Sequence, residues 1–249
     1  MSELPENNYV SIIVCHYSKV DDFGGHRARR QKETRSEMLR TTMASLEKNT
    51  DYPAEIIVID NGGDLDDSEY LLELVRKGVI NTYIRNKNNM YYGWAWNQGK
   101  RLATGKYICF TCNDIEFKSN WLSVTIKPLL DYPEKKLLAT PFILPDKAVP
   151  KFDMGRLDGY RLNSSAGSNC LIMTTENADY FGELNTSPTA MYRWYHKMWE
   201  EGWLIIAPAE NIADHLAHRG GVDFMQVIKV KKELLNKNII DYSTSKWQE

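Results

Sequence analysis

The sequence predicts an α/β fold in which a mostly parallel central sheet is flanked by helices. Three observations lead to this prediction: short apolar runs rich in β-branched residues, amphipathic stretches between them, and polar residues directly after the runs. Strands and helices that alternate along the chain are typical of parallel sheets, because two parallel strands need a long crossover connection. At 249 residues, the chain is long enough to bury one large core, and we expect a single domain.

The first part of the chain follows a strand, helix, strand pattern. Residues 9–15 (YVSIIVC) and 55–60 (EIIVID) are continuous apolar runs of the kind found in buried strands. Between them, residues 33–49 predict a helix with one apolar face, formed by Met38, Leu39, Thr42, Met43 and Leu46. A second helix is predicted to start in the acidic residues 64–69, which suit a helix N-terminus, and to end at Gly78.

The same alternation continues with a strand at 81–86, a helix at 93–103 and a strand at 106–112. Ligands bind open α/β sheets at the carboxyl ends of the strands. The polar residues that follow the predicted strands should therefore face one crevice: His16 and Tyr17, Asp60 and Asn61, Asn113 and Asp114.

The second half of the chain has a looser pattern. It predicts a helix interrupted near Pro128, strands at 137–143, 168–175 and 203–209, and helices at 176–181 and 191–201. Residues 145–165 have no periodicity, which predicts a long loop that is either functional or mobile. Residues 224–240 have amphipathic spacing, and they predict either a docked C-terminal helix or a helix that contacts a partner or a membrane surface.

Composition and charge exclude several classes of protein. The net charge of −2 gives no field that would collect nucleic acid. No stretch approaches the roughly 20 apolar residues that span a bilayer, and the start MSELPENN lacks the features of a signal peptide. The four cysteines lie in or beside apolar stretches, which suits reduced thiols. We therefore expect a cytoplasmic protein, with peripheral contact to the inner face of a membrane through the tail as an alternative.

The end of the first predicted strand excludes two nucleotide-binding folds. Dinucleotide-binding and P-loop proteins need glycines there, so that backbone N–H groups can approach a pyrophosphate. This chain instead reads CHYSKVDD. A nucleotide site in this protein would therefore be built from side chains.

The segment after the fourth predicted strand contains two carboxylates, Asp114 and Glu116. Carboxylates at a strand end can coordinate a hard divalent ion such as Mg²⁺ or Mn²⁺. The alternative is an ordinary turn or helix-capping residue.

Three segments together resemble the nucleotide-sugar domain of GT-A glycosyltransferases, in particular the inverting family 2: VSIIVCHY, EIIVIDNGG and residues 86–122. The resemblance covers residues 9–122 well and the remainder loosely. It implies one GT-A domain over residues 1–249, with a nucleotide-sugar-binding half (9–122), an acceptor-binding half (123–222) and a C-terminal helical tail (223–249). It also implies a nucleoside diphosphate sugar donor, a saccharide or lipid-linked acceptor, Mn²⁺ or Mg²⁺, and a role in polysaccharide biosynthesis.

The resemblance also implies roles for individual residues. Tyr17, Asp60, Asn61 and Gly62 would line the nucleobase pocket, with Asp60 on the base edge, and Asn97 would hold the acidic loop or the donor. Asn113 would contact the donor, and Asp114 matches the last aspartate of the family's DXD motif, which binds the metal that bridges the diphosphate. Cys112 falls on the first acidic position of that motif, and Glu116 could supplement the ligands.

Residues 214–221 (DHLAHRGG) resemble the late histidine and glycines that these enzymes place beside the metal or the diphosphate. A neutral imidazole can be a ligand, and glycines allow close backbone approach. We favour His218 as the metal ligand because Gly-Gly follows it, with His215 as the alternative. Two loop histidines that make ordinary hydrogen bonds would give the same pattern.

The catalytic base is the main departure from the family. An inverting transferase needs a carboxylate that accepts the proton of the acceptor hydroxyl, and the family supplies it from an acidic motif that opens a late helix. The corresponding residues 187–194 (SPTAMYRW) contain no acid. Asp153, Asp158 and Glu183 are the candidate substitutes, although each is equally compatible with a surface position. The missing acid leaves two alternatives open: a donor-binding protein that has lost the chemistry, and a retaining transferase.

Overall fold

The computed structural model of the protein describes residues 8–18, 34–141, 153–157, 159–163, 170–185, 190–210 and 212–216. The strands are β1 Val10–His16, β2 Ala54–Asp60, β3 Thr82–Arg85, β4 Tyr107–Cys112, β5 Ile115–Phe117, β6 Leu137–Ala139, β7 Asp153–Leu157, β8 Tyr160–Asn163, β9 Cys170–Thr174, β10 Leu204–Ala207 and β11 Ala213–His215. The helices are α1 Arg35–Asn49, α2 Leu65–Arg76, α3 Tyr91–Leu102, α4 Trp121–Asp131, α5 Thr175–Phe181 and α6 Met191–Glu200.

The central sheet has the order β3-β2-β1-β4-β9-β6-β10-β8-β7. Strands β3, β2, β1 and β4 are parallel, as the alternation of strands and helices in the sequence predicts. Strand β9 is antiparallel to both β4 and β6, while β10 is parallel to β6. The α/β architecture with a mostly parallel central sheet is therefore confirmed, and the antiparallel strands lie in its second half.

Helices cover both faces of the sheet. On one face, Ile12 and Val58 pack in a core that includes Leu39 of α1, Leu71 of α2 and Ile126 of α4. On the other face, alternate residues of the same strands pack against Trp96 of α3, Phe181 of α5 and Trp194 of α6. Burial on both faces explains why β1 and β2 are continuous apolar runs in the sequence.

Local signals in the sequence explain two helix ends. Helix α1 begins with a capping box: the Thr34 hydroxyl accepts from the Glu37 backbone N–H at 3.2 Å, and the Thr34 N–H donates to the Glu37 carboxylate at 2.6 Å. Helix α2 is followed by Gly78 with φ of +75°, a left-handed conformation that glycine adopts without strain.

Two expectations for the second half of the chain are wrong. Residues 145–165 are not a loop throughout, because β7 and β8 form a hairpin around Gly159, whose φ is +88°. Helix α4 continues through Pro128 to Asp131. Proline has no N–H to donate to the carbonyl of residue 124, and the helix ends three residues after it.

The sequence analysis missed a small second sheet, in which β5 and β11 pair antiparallel. Each strand has three residues, too few to show periodicity. The other edge of β5 docks on α1, where the Thr42 hydroxyl accepts from Ile115 N–H at 3.0 Å and the Ser45 hydroxyl accepts from Phe117 N–H at 3.1 Å. Helix α1 thereby fixes the strand that follows the Asn113-Asp114 turn.

In the part of the chain that the structure describes, no helix is both long enough and apolar enough to span a bilayer. The amphipathic segment predicted at residues 224–240 lies outside the described residues.

Candidate active site

The carboxyl ends of β1, β2 and β4 bring polar residues to one edge of the sheet. His16 is paired with Asp60 in the register of β1 and β2, and Cys15 is paired with Cys112 in the register of β1 and β4. Burial raises the pKa of the Cys15 thiol to about 12, and the charges of Asp60 and Asp114 add to this effect. Both carboxylates therefore act on one thiol, which lies on the strand between them.

Asp60 is completely buried, and both of its carboxylate oxygens are bonded within the protein. One oxygen accepts from Gly63 N–H at 2.7 Å, and the other accepts from the hydroxyls of Ser68 at 2.7 Å and Tyr83 at 2.9 Å, with Arg85 Nε at 3.3 Å. Burial, together with the nearby Asp60 charge, raises the pKa of Tyr83 to about 12. Asp60 therefore joins β2 to α2 and β3, and its predicted contact with the nucleobase edge stays a prediction.

Asn61 is also buried, and its carboxamide holds the loop between β3 and α3. Its Nδ2 donates to Asn89 Oδ1 at 2.9 Å and to the Tyr91 carbonyl at 3.2 Å. Its Oδ1 accepts from Asn86 Nδ2 at 3.2 Å and from Met90 N–H at 3.1 Å. All of the carboxamide's main hydrogen-bonding directions are thus used to position this loop beside the crevice.

The remaining residues predicted for the nucleobase pocket lie beside that loop or at the end of β1. Gly62 has φ of +86°, and a side chain there would come within 3.2 Å of the Lys87 carbonyl. Tyr17 is 7% exposed, and its carbonyl accepts from Arg35 Nη1 at 3.4 Å. Tyr91, the first residue of α3, is 38% exposed and has φ of +64°. A non-glycine residue with this backbone conformation is uncommon and needs support from its surroundings.

Asn97 is buried in α3 and holds the segment between α5 and α6. Its Nδ2 donates to the Leu184 carbonyl at 2.7 Å, and its Oδ1 accepts from the Leu184 N–H at 2.9 Å. Asn97 is 3% exposed. Its predicted contact with the acidic loop or the donor stays a prediction.

Asp114 and His215 form a polar pair at the acidic turn. Asp114 Oδ2 lies 3.2 Å from His215 Nε2, and both side chains are partly exposed. The pairing of β5 with β11 sets this contact, because His215 is paired with Ile115, the residue after Asp114. In addition, Leu216 N–H donates a hydrogen bond to the Asp114 carbonyl at 2.8 Å. The pair offers one carboxylate oxygen and one imidazole nitrogen, which suit Mn²⁺.

The other predicted metal ligands do not complete a cluster in the described part of the chain. Glu116 is paired with Asp214 in the register of β5 and β11, one step beyond His215. Among the residues that the structure describes, no three His, Cys, Asp or Glu side chains group closely enough to hold an ion. His218 lies outside the described residues, so His215 is the histidine that the structure brings to Asp114.

Of the three candidate bases, Glu183 is the one whose side chain the structure describes. Glu183 forms an ion pair with Arg101 in the last turn of α3. Its role as the base stays a prediction. The backbone of Asp153 lies in β7 near the far edge of the sheet, and Asp158 lies outside the described residues.

The structure adds one buried interaction that sequence reasoning missed. The imidazole of His16, which is completely buried, lies between Asn113 and Asp67 of α2. The acids at the start of α2 predict only a favourable interaction with the helix dipole. The position of His16 directly after an apolar strand was the available signal, but nothing in the sequence identified Asp67 as its partner.

Comparisons with known proteins agree with this fold. The family model described as Glycosyl transferase family 2 matches residues 32–171. A Drosophila melanogaster protein named "Putative polypeptide N-acetylgalactosaminyltransferase 13" is 31% identical over 121 residues, which is 40% of this chain and 21% of that protein.

Two solved structures have a similar fold. A crystal structure of GalNAc-T7 with UDP, GalNAc and Mn²⁺ has a TM-score of 0.61 at 12% identity, over 86% of this chain and 44% of that one. The Pyrobaculum calidifontis mannosyltransferase PcManGT, in complex with GDP-Man and Mn²⁺, has a TM-score of 0.66 at 14% identity, over 92% of this chain and 64% of that one. The chain thus spans less than two thirds of the length of each of these relatives.

The sheet order, the helices on both faces and the acidic turn after β4 define a GT-A glycosyltransferase domain. The matched residues 32–171 are more than half of the chain. The chain therefore belongs to glycosyl transferase family 2.

Proposed function

We propose that this protein transfers a sugar from a nucleoside diphosphate sugar to a hydroxyl acceptor, with a divalent cation held by Asp114 and His215. The single observation that carries the proposal is the 3.2 Å contact between Asp114 Oδ2 and His215 Nε2 at the end of β4. The family match and the Mn²⁺ and nucleotide ligands named for the two similar structures support it.

The donor set fits a divalent cation. A carboxylate and a neutral imidazole are ligands for Mn²⁺, and a carboxylate also suits Mg²⁺. When bound, such an ion neutralises the charge that develops on the departing diphosphate. In this proposal, Asp114 and His215 hold the ion, while the backbone bond from Leu216 and the docking of β5 on α1 keep the turn in place.

The transfer forms a bond between the acceptor oxygen and the anomeric carbon and breaks the bond from that carbon to the diphosphate oxygen. The bonding electrons leave with the diphosphate, and the acceptor hydroxyl loses its proton. We propose inversion because of the family. No residue is assigned as the base, since Glu183 is paired with Arg101 and residues 187–194 contain no acid.

The remaining expectations extend this proposal. The acceptor would be a saccharide or a lipid-linked saccharide bound by residues 123–222, as in polysaccharide biosynthesis. The setting would be the cytoplasm, with peripheral membrane contact through residues 224–240. The cysteines at positions 15, 109, 112 and 170 are free thiols, which supports a reducing compartment.

The test is release of free nucleoside diphosphate from a panel of UDP- and GDP-linked hexoses and N-acetylhexosamines, with Mn²⁺, Mg²⁺ or a chelator. We expect release with at least one donor that requires the metal and is lost in Asp114→Ala. Asp214→Asn is the matched control, because Asp214 is the nearest acid on β11 and pairs with Lys118 at 3.4 Å. Release by Asp114→Ala at the wild-type rate would contradict the proposal.

A second candidate function is donor binding without transfer. It is favoured by Cys112 at the first acidic position of the motif and by the missing acid before α6. Calorimetry that shows metal-dependent binding of UDP or GDP, together with no turnover on any acceptor, would support this alternative over a transferase.

A further inference from the structure

We propose that His16 and Asp67 are positioning residues that fix the carboxamide of Asn113 with its oxygen toward the donor crevice. This inference deepens the proposed function and rests on it. The carboxamide oxygen of Asn113 would accept a hydrogen bond from a donor hydroxyl or bind the cation. The amino group of the same carboxamide can do neither.

Asp67 determines which nitrogen of His16 carries the proton. Asp67 Oδ2 lies 3.3 Å from His16 Nε2, and the Asp67 side chain is 1% exposed. Burial raises the Asp67 pKa, but contacts with His16, Arg40 and Ser36 outweigh it and hold the pKa well below its ordinary value. Asp67 is therefore an ionised carboxylate. His16 Nε2 forms no hydrogen bond of good geometry with a described residue, but an unprotonated Nε2 would turn its lone pair toward this negative charge at 3.3 Å. Nε2 therefore carries the proton.

The other imidazole nitrogen then determines the orientation of Asn113. In the neutral ring, Nδ1 has no proton and can only accept. Asn113 Nδ2 lies 2.9 Å from His16 Nδ1, so the amino group of the carboxamide donates to the ring. His16 is completely buried whereas Asn113 is partly exposed. The carboxamide oxygen is thus the atom that is turned away from the buried histidine, toward the crevice.

The imidazole is held tightly in this arrangement. A side-chain carbon on Gly63 would come within 2.7 Å of His16 Nε2, so the backbone of that loop packs directly on the ring. Asp67 is itself fixed by Arg40 Nη1 at 2.9 Å and by the Ser36 hydroxyl at 2.8 Å, both from α1. Contacts made by α1 and α2 therefore determine the orientation of Asn113, although neither helix needs to contact the donor.

The substitution Asp67→Asn should exchange donor and acceptor in the contacts from residue 67 to His16 and from His16 to Asn113. The shape of the side chain at position 67 hardly changes. The new amide can donate to His16 Nε2, which moves the ring proton to Nδ1. That proton then needs Asn113 Oδ1, so the carboxamide turns over and presents its amino group to the crevice. Asn113→Asp removes this dependence, because a carboxylate has an oxygen in both directions.

The first measurement needs no enzyme activity. Nitrogen-15 NMR of the imidazole side chains, with His16 assigned by loss of its signal in His16→Gln, should show the Nε2–H tautomer in the wild type and the Nδ1–H tautomer in Asp67→Asn. An Nδ1–H tautomer or an imidazolium in the wild type at pH 7 would overturn the inference, even if Asp67→Asn did not fold.

The second measurement is a double-mutant cycle read as affinity for UDP and for GDP. Asp67→Asn should weaken binding roughly tenfold when residue 113 is Asn, and by less than about twofold when it is Asp. A merely structural role for Asp67 would give the same loss in both backgrounds, and that result would overturn the inference.

A loss of nucleotide affinity that persists without Mn²⁺ identifies a donor hydroxyl as the partner of Asn113, and a loss that needs Mn²⁺ identifies the cation. If neither nucleotide binds the wild type, the proposed function fails, and the tautomer measurement alone decides whether His16 orients Asn113.

Discussion

The Asp114 carboxylate and the His215 imidazole meet at 3.2 Å because two three-residue strands pair. Asp114 directly precedes β5, and His215 is the last residue of β11. The antiparallel register therefore places the turn after β4 beside a residue from the far end of the described chain. The small sheet is the element that assembles the candidate metal site, whereas the large sheet supplies only one of its two residues.

Loss of the imidazole should weaken Mn²⁺ binding. We expect His215→Ala to lower Mn²⁺ affinity by at least about tenfold, the loss that even an outer partner of a metal ligand typically causes. Calorimetric titration with Mn²⁺ in the presence of UDP or GDP measures this.

Asp214→Asn is the control for His215→Ala. Asp214 is the neighbouring residue of β11, and it is partly exposed and paired with Lys118. Its affinity for Mn²⁺ should stay within about twofold of the wild type. An equal loss in both variants would show that β11, and not the imidazole, determines the affinity.

The sequence was informative wherever burial on both faces of a strand left a continuous apolar run. Strands β1, β2 and β4 were predicted for this reason. The polar residues at their carboxyl ends lie together, as the parallel register of the three strands requires. The β7–β8 hairpin was missed because its short strands show no periodicity. A pattern with a period of two needs several residues before it stands out from a loop.

The roles of individual site residues were harder to predict, because a sequence does not show which polar side chains are already used within the protein. Asp60 and Asn97 lie at positions where a ligand contact was expected, and both make hydrogen bonds within the protein. The contact between His16 and Asp67 depends on how α2 packs against β1, which no local pattern encodes.

Asn61 should act through the loop between β3 and α3. Asn61→Asp replaces the amino group that donates to Asn89 and to the Tyr91 carbonyl with an oxygen that only accepts. We expect a loss of about 2 kcal/mol in the free energy of unfolding, because two part-buried hydrogen bonds lose their donor. Urea denaturation measures this loss, and hydrogen exchange should become faster in residues 86–91.

Asn88→Asp is the matched control for Asn61→Asp, since it makes the same chemical change at an exposed position of the same loop. Its stability should change by less than about 0.5 kcal/mol. If Asn61→Asp changed nucleotide affinity without changing exchange in this loop, Asn61 would instead contact the donor directly.

Gly93 is expected to set how closely the segment before α6 packs on α3. A methyl group at Gly93 would come within 3.0 Å of the Asn185 carbonyl and of Ala190. Gly93→Ala should therefore lower the free energy of unfolding by about 1–3 kcal/mol and displace this segment. Denaturation measures the first effect, and faster hydrogen exchange at the start of α6 reports the second.

Gly99→Ala separates these two effects. A methyl group there would meet Ile13 of β1, so it overpacks the contact between α3 and the sheet. We expect a similar loss of stability without faster exchange at the start of α6. The same exchange pattern in both variants would mean that the α6 segment responds to general destabilisation.

Asp67 should give the protein a stability that is lost in acid. Burial raises its pKa, but contacts from His16, Arg40 and Ser36 outweigh this and hold the pKa below its ordinary value of 3.8. A carboxylate whose pKa is lowered by folding stabilises the folded state above its unfolded pKa, and this contribution disappears as the pH falls toward the folded pKa. The free energy of unfolding should therefore fall between about pH 5 and about pH 2 more steeply in the wild type than in Asp67→Asn, which has no carboxylate to protonate at this position.

At pH 7, the Asp67→Asn variant should be less stable than the wild type by about 2 kcal/mol, the value of one hydrogen bond to a charged group. Urea denaturation across this pH range measures both quantities, and parallel curves for the two proteins would show that Asp67 does not cause the acid sensitivity.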